Sequence, residues 1–212
     1  MKLVNVKVPA TSANLGPGYD CLGLSLGLYN EFDFMPLADE GTLEIIIEGE
    51  GADFIPRDES NLIVQAAQFL CDHLQRPLPA MKIIQRNYVP PASGMGSSST
   101  AVVAGMLGVN EILKAGLTKN DILELATNME GHPDNVAPAL YGGLVLVPMG
   151  ISPLHIERFE VPPLMMTIIL PEFNLLTQDA RAALPAMVSR EDAIFNLART
   201  PLVIRALEQG NY

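Results

Sequence analysis

The stretch YVPPASGMGSSSTAVVAGMLG, residues 88 to 108, sets two glycines and four consecutive hydroxyl side chains between a proline pair and an apolar run. Such a run suits a tight turn that approaches an anion closely and opens directly into a helix. Gly94 and Gly96 let the backbone turn where a side chain would block it. A helix beginning at Ser97 aims its first N–H groups at the anion, and its dipole adds to the attraction. The hydroxyls of Ser97, Ser98, Ser99 and Thr100 can serve phosphate oxygens or a metal ion. Two other phosphate-binding patterns are excluded. No lysine follows Gly96, as the GxxxxGK[ST] loop requires, and Ser99 stands where the dinucleotide fingerprint has its third glycine. A flexible Ser/Gly linker or a plain helix cap has the same composition. The strand before the loop and the long apolar helix after it favour an anion site.

The elements around the loop follow from hydrophobic spacing. Leu3, Val4, Val6 and Val8 predict a half-buried strand over 2–9 that ends at Pro9. A turn-forming run follows, with Asn14, Gly16, Pro17, Gly18 and Asp20. Strands are expected over 41–51 and 80–87, and Leu62, Ala66, Leu70 and Leu74 predict a helix over 61–75 that stops before Pro77. Val102, Met106, Val109 and Leu113 mark a helix from Ser97 to Lys114, and a second helix runs from a Thr118 cap to Met129. Strands are expected over 142–149, 155–161 and 164–171, and helices over 177–184 and 190–209. The order is α+β with a mixed sheet rather than regular βαβ alternation.

Bulk properties bound the function. The 212 residues are 49% hydrophobic and 17% charged, enough for a sizeable core and unlike a disordered polyelectrolyte. The net charge of -11 repels nucleic-acid backbones, although backbone amides can still hold one small anion. Cys21 and Cys71 have no metal-ligand spacing and read as reduced thiols. No stretch has the pattern of a signal peptide or a membrane span, so the expectation is a cytoplasmic protein with no membrane partner.

PPASGMGSSST, from Pro90, resembles the PxxxGLGSSAA motif of the GHMP kinases. VPATSANLGPGYDCLGLSLGLYNEF (8–32), EGHPDNVAPALYGGLVL (130–146) and, more weakly, TQDARAALP (177–185) resemble segments of the homoserine kinases within that family. The resemblance implies an N-terminal nucleotide-binding domain over 1–150, of the ribosomal protein S5 domain 2-like fold. It also implies the start of a ferredoxin-like C-terminal domain over 151–212, since the family's third glycine motif is not found after residue 150. The implied activity is MgATP-dependent phosphorylation of the side-chain hydroxyl of L-homoserine to O-phospho-L-homoserine, a step of threonine biosynthesis, with a homodimer allowed. The alternatives are another small-alcohol kinase of the same family, or a shortened nucleotide-binding protein without catalysis.

By the same resemblance, Pro91, Ala92, Ser93, Gly94, Met95, Gly96, Ser97, Ser98, Ser99, Thr100 and Ala101 wrap the ATP triphosphate, and Ser98 and Glu130 hold Mg2+. A hydroxyl and a carboxylate are the hard ligands that ion prefers. Otherwise Glu130 is a solvated carboxylate at a helix C-terminus, opposing the dipole, and Ser98 a helix cap. Asn14, Asp20, His132, Thr177 and Arg181 match substrate positions. Asp20 suits an ammonium or hydroxyl, and Arg181 suits a carboxylate through a two-pronged hydrogen bond. By spacing alone Asn14 and Asp20 are equally well turn residues, and His132 and Arg181 solvated polar groups. No general base stands out. Asn135 stands where mevalonate-type relatives carry a basic aspartate; the resemblance gives it, with Glu130 and Arg181, a catalytic role, orienting the alcohol. Asp134 is either a second candidate base or the cap of the helix that follows.

Overall fold

The computed structural model describes residues 2–39, 41–170 and 177–212. In chain order the elements are β1 (Val4–Ala13), β2 (Leu22–Pro36), β3 (Leu43–Gly49), α1 (Leu62–His73), β4 (Met81–Asn87), α2 (Ser97–Leu113), α3 (Lys119–Glu130), α4 (Val136–Tyr141), β5 (Leu144–Leu146), β6 (Glu157–Phe159), α5 (Thr177–Ala182) and α6 (Arg190–Gln209). One mixed sheet runs in the order β3-β4-β2-β5-β6, with β1 also paired to β2. Among the described residues only β3 and β4 are parallel; the other pairs are antiparallel. This is the α+β arrangement expected from the element order.

The 15-residue β2 organises the sheet, and the hydrophobic spacing did not predict it. Its first residues pair with β5, its last six with β4, and β1 runs along most of its length. Phe32 and Phe34 are fully buried on it, while Glu31 and Asp33 alternate outward to meet Lys7 and Arg86. β1 continues four residues past Pro9, the expected end. It shifts register between Pro9 and Thr11, an irregularity of the kind at which a strand tolerates proline.

The segment 164–170 does not form the expected strand. Its apolar residues meet solvent, Met165 at 96% and Ile169 at 88% exposure, and among the described residues no strand pairs with it to supply the hydrogen bonds that an extended chain needs. Pro171 of that prediction lies outside the described residues. The other helices and strands fall within a few residues of their predicted bounds. Thr118 caps α3 through a reciprocal pair of bonds with Asp121, as its position suggested. The two cysteines are free, and burial pushes the Cys71 thiol up to about 11.

α2 lies at the centre, against β1, α1, α3 and α4. Val102, Val103, Ala104, Met106 and Val109 are fully buried on it. Two helical glycines let its neighbours close in: a Cβ at Gly105 would overlap the Ile63 carbonyl oxygen of α1, and one at Gly108 would strike the Phe34 ring. This packing holds the body of α2 against α1 and the sheet. Gly105→Ala should therefore lower unfolding stability by ~1–3 kcal/mol in urea titration, despite alanine's ~1 kcal/mol helix-propensity advantage. A stabilised variant would show that α1 and α2 spread freely.

Candidate active site

The glycine loop connects β4 to α2. Gly96, the α2 N-cap, is left-handed at φ 65°, and no side chain caps the helix. A non-glycine residue would be strained there, and its Cβ would overlap the Thr11 hydroxyl. The first amides of a 17-residue helix are thus left for an incoming anion. The loop is braced from within. Ser93 Oγ donates to the Pro90 carbonyl at 2.6 Å and accepts from the Met95 amide at 3.3 Å, and Ser97 Oγ donates to the Val89 carbonyl at 3.3 Å.

Buried Asn30 of β2 joins the two ends of the loop. Its Nδ2 donates to Thr100 Oγ1 at 2.8 Å, and its Oδ1 accepts from the Tyr88 and Val89 amides at 2.7 and 2.9 Å. Met95 is buried against Ala10, Leu26 and Val89. The Thr100 hydroxyl turns inward to the Ser97 carbonyl at 2.7 Å, away from the expected phosphate. Pro91, Ala92 and Ala101 line a 340 Å³ pocket that reaches back to Phe54, Asn61 and Leu62.

A second, 620 Å³ cleft opens on the other side of the loop. It brings Asn14, Ser93, Gly94, Gly96, Ser97, Ser98, Glu130, His132, Asp134, Asn135 and Arg181 together. Of the expected residues, Asp20 joins them through Arg181. Thr177 opens α5, but its side chain lies outside the described residues. Asn14 and Asp20 are both left-handed, at φ 65° and 58°, a conformation that Asn and Asp tolerate better than most residues. Asn14 Oδ1 accepts from the Asp20 amide at 2.9 Å, so the turn presents the aspartate at a fixed angle.

Arg181 is taken from α5 across to that turn. Nη1 donates to Asp20 Oδ2 at 3.0 Å, and Nη2 donates to the other carboxylate oxygen. Tyr19 supports the guanidinium from beneath, accepting from Nη1 at 3.1 Å with its ring centroid 5.4 Å from Cζ. Nothing in the local sequence marks Tyr19, and only the fold brings it to Arg181.

Glu130 ends α3 and is half-buried near Ser98 and Ser99. Ser99 Oγ donates to Oε2 at 3.3 Å. Burial pushes the Glu130 carboxyl upward, opposed by charge from His132 and by the serine hydroxyls. A half-buried carboxylate beside serine hydroxyls is a donor set suited to a hard divalent cation. Asp20, His132 and Asp134 also place ligand atoms within 4.8 Å of one another. There, however, Arg181 already compensates Asp20, and His132 Nδ1 lies 2.6 Å from Asp134 Oδ1. Asp134 is almost fully buried and pairs with His132; it does not cap α4, whose N-cap is Asn135. The capping expectation for Asp134 is thereby corrected.

A family model described as the GHMP kinases N terminal domain matches residues 61–143. A homoserine kinase of Nostoc punctiforme is 46% identical over 98% of this chain and 68% of its own length. One from Desulfitobacterium hafniense is 43% identical over 99% of this chain and 70% of its own. The crystal structure of a homoserine kinase from Cytophaga hutchinsonii superposes with a TM-score of 0.80 at 27% identity, covering 100% of this chain and 69% of that one. A mevalonate kinase structure, at 13% identity and a TM-score of 0.58, shares the fold alone.

The His132–Asp134 contact makes a pH prediction. The hydrogen bond to Asp134 raises the His132 pKa above its usual 6.5. Protonated His132 therefore stabilises the fold; that contribution is complete below the unfolded value and is lost as pH rises through the higher folded value. In an NMR titration, Asp134→Asn should move the His132 midpoint down and flatten the fall in stability above about pH 6.5. An unmoved midpoint would contradict the coupling.

Proposed function

The chain belongs to the homoserine kinase family, and from that premise we propose that its cleft transfers the γ-phosphoryl group of ATP to the side-chain hydroxyl of L-homoserine. The observation that carries this reading is the uncapped N-terminus of α2 opening onto the same cleft as Asn14, Asn135 and the Asp20–Arg181 pair.

The α2 amides and the Gly94–Ser98 backbone receive the triphosphate, and the apolar pocket beside Pro91 and Leu62 suits the nucleoside end. Phosphoryl transfer asks the protein mainly for positioning and charge stabilisation. Ser98 and Glu130 would hold Mg2+, which when bound neutralises charge on the phosphates. Homoserine is a zwitterion. Its ammonium competes for Asp20 and its carboxylate for Arg181, so one internal ion pair is exchanged for two with the ligand. Asn14 and His132 border the same space, and Thr177 opens the helix that carries Arg181. Asn135 stands beside the loop as an amide, which orients the alcohol and takes no proton near pH 7. The hydroxyl proton then leaves with the transferred phosphoryl group. The net charge of -11 disfavours a nucleic-acid partner, and no helix among the described residues is long and apolar enough to cross a membrane. Both fit a cytoplasmic enzyme of soluble small molecules.

With MgATP, turnover should require L-homoserine; turnover with mevalonate and none with homoserine would reject the assignment. Arg181→Ala should raise the homoserine KM about 10- to 100-fold, the worth of a lost charged hydrogen bond. The ATP KM should stay within about threefold. A collapse of ATP affinity instead would displace Arg181 from the amino-acid side. Glu130→Gln should lower kcat by about 100-fold or more; an unchanged kcat would remove Glu130 from the reaction.

A further inference from the structure

We propose that Thr11 is a positioning residue for the reaction, and that its hydroxyl sets which face of the Asn135 amide meets the substrate. The inference rests on the role given to Asn135 above. Thr11 is fully buried at the register shift of β1. Its Oγ1 donates to Asn135 Oδ1 at 2.7 Å across 124 residues of sequence. Its amide donates to the Met95 carbonyl of the glycine loop at 3.0 Å. Gly96 packs directly over this pair: a Cβ there would overlap the Thr11 hydroxyl and stand 3.0 Å from Asn135 Oδ1. One threonine therefore joins the loop and the asparagine.

The direction of the hydrogen bond has a chemical consequence. With Oδ1 taken by the Thr11 hydroxyl, the NH2 group of Asn135, a residue that lines the cleft, is turned away from Thr11. Among the described residues, that nitrogen makes no hydrogen bond to the protein. Asn135 thus acts toward substrate as a donor. It can hold the alcohol oxygen, or an oxygen of the transferred group, where negative charge accumulates. It cannot accept the hydroxyl proton. Without the Thr11 hydroxyl the amide is free to rotate and present either atom.

The test is a cycle on the full chain with MgATP and L-homoserine. Thr11→Val keeps the shape and removes the hydroxyl; Thr11→Ser keeps the hydroxyl. Thr11→Val should lower kcat by about 10- to 100-fold, as expected for a misplaced reacting group. Both KM values should stay within about threefold, with Thr11→Ser close to the parent. In an Asn135→Ala background, Thr11→Val should add little further loss. Additive losses, or a full-speed Thr11→Val, would overturn the inference and leave the role of Asn135 intact. An undiminished Asn135→Ala would overturn both. Asn135→Asp preserves the acceptor for Thr11 and deletes the donor, so it should be as slow as Asn135→Ala; turnover at or above the parent would overturn the donor assignment. A readout free of turnover is 15N relaxation of the Asn135 side-chain amide. It should be rigid in the parent and in Thr11→Ser, and mobile in Thr11→Val. A mobile amide in the parent would reject the proposal even if Thr11→Val does not fold.

Discussion

The uncapped first turn of α2 is the constraint on which the remaining structure depends. Helix N-termini carry orphan N–H groups, and most folds satisfy them with a Ser, Thr, Asp or Asn side chain. Here the cap is a left-handed glycine with no side chain to give. Leaving those donors for an anion requires the helix to be held by something else. The packing supplies it: α2 is buried along most of its length, and Gly105 and Gly108 bring it close to α1 and Phe34. Asn30 then fixes the chain on both sides of the loop with three hydrogen bonds from one buried amide. A buried amide with its partners in place specifies one loop geometry, because any slip would leave polar groups unpaired.

The Asp20–Arg181 side of the cleft is assembled differently. Its groups come from the 14–20 turn, the α3–α4 junction and α5, and charge pairing aligns them. Arg181 and Asp20 neutralise each other, His132 Nδ1 hydrogen-bonds Asp134, and half-buried Glu130 lies beside Ser99 in the first turn of α2. An overall acidic protein can therefore receive a triphosphate. The local potential at the loop comes from backbone amides, and Asp20 and Asp134 of the cleft already have side-chain partners. α6 backs this side of the molecule: Thr200 Oγ1 donates to the Pro17 carbonyl at 3.0 Å, and Val203, Ile204 and Leu207 pack on the β2–β5 cluster.

Local signals were legible. The glycine loop, the α2 and α3 boundaries and the Thr118 cap follow from residue types a few positions apart. Asn14 and Asp20 were readable as turn residues, and their left-handed backbone bears that out. What was not legible depends on contacts between distant segments. β2 has alternation broken by glycines and by Asn30, a buried polar residue whose partners lie 58 to 70 positions away. Residues 164–170 have strand propensity but no strand to pair with among the described residues. Asp134 carries the ordinary signature of a cap, and a histidine two residues earlier captures it. Thr11 and Tyr19 carry no signal at all until the chain is folded and Asn135 and Arg181 arrive beside them.

The central claim is that one cleft holds a triphosphate on the α2 amides and an amino-acid alcohol on the Asp20–Arg181 side, close enough to react. The most direct measurement is a crystal structure of the chain with a non-hydrolysable MgATP analogue and L-homoserine. The account predicts the phosphates against Gly94–Ser98, the ligand carboxylate on Arg181, and its hydroxyl between Asn135 and the terminal phosphate. Nucleotide bound elsewhere with the glycine loop untouched, or homoserine on a face that the loop cannot reach, would contradict it.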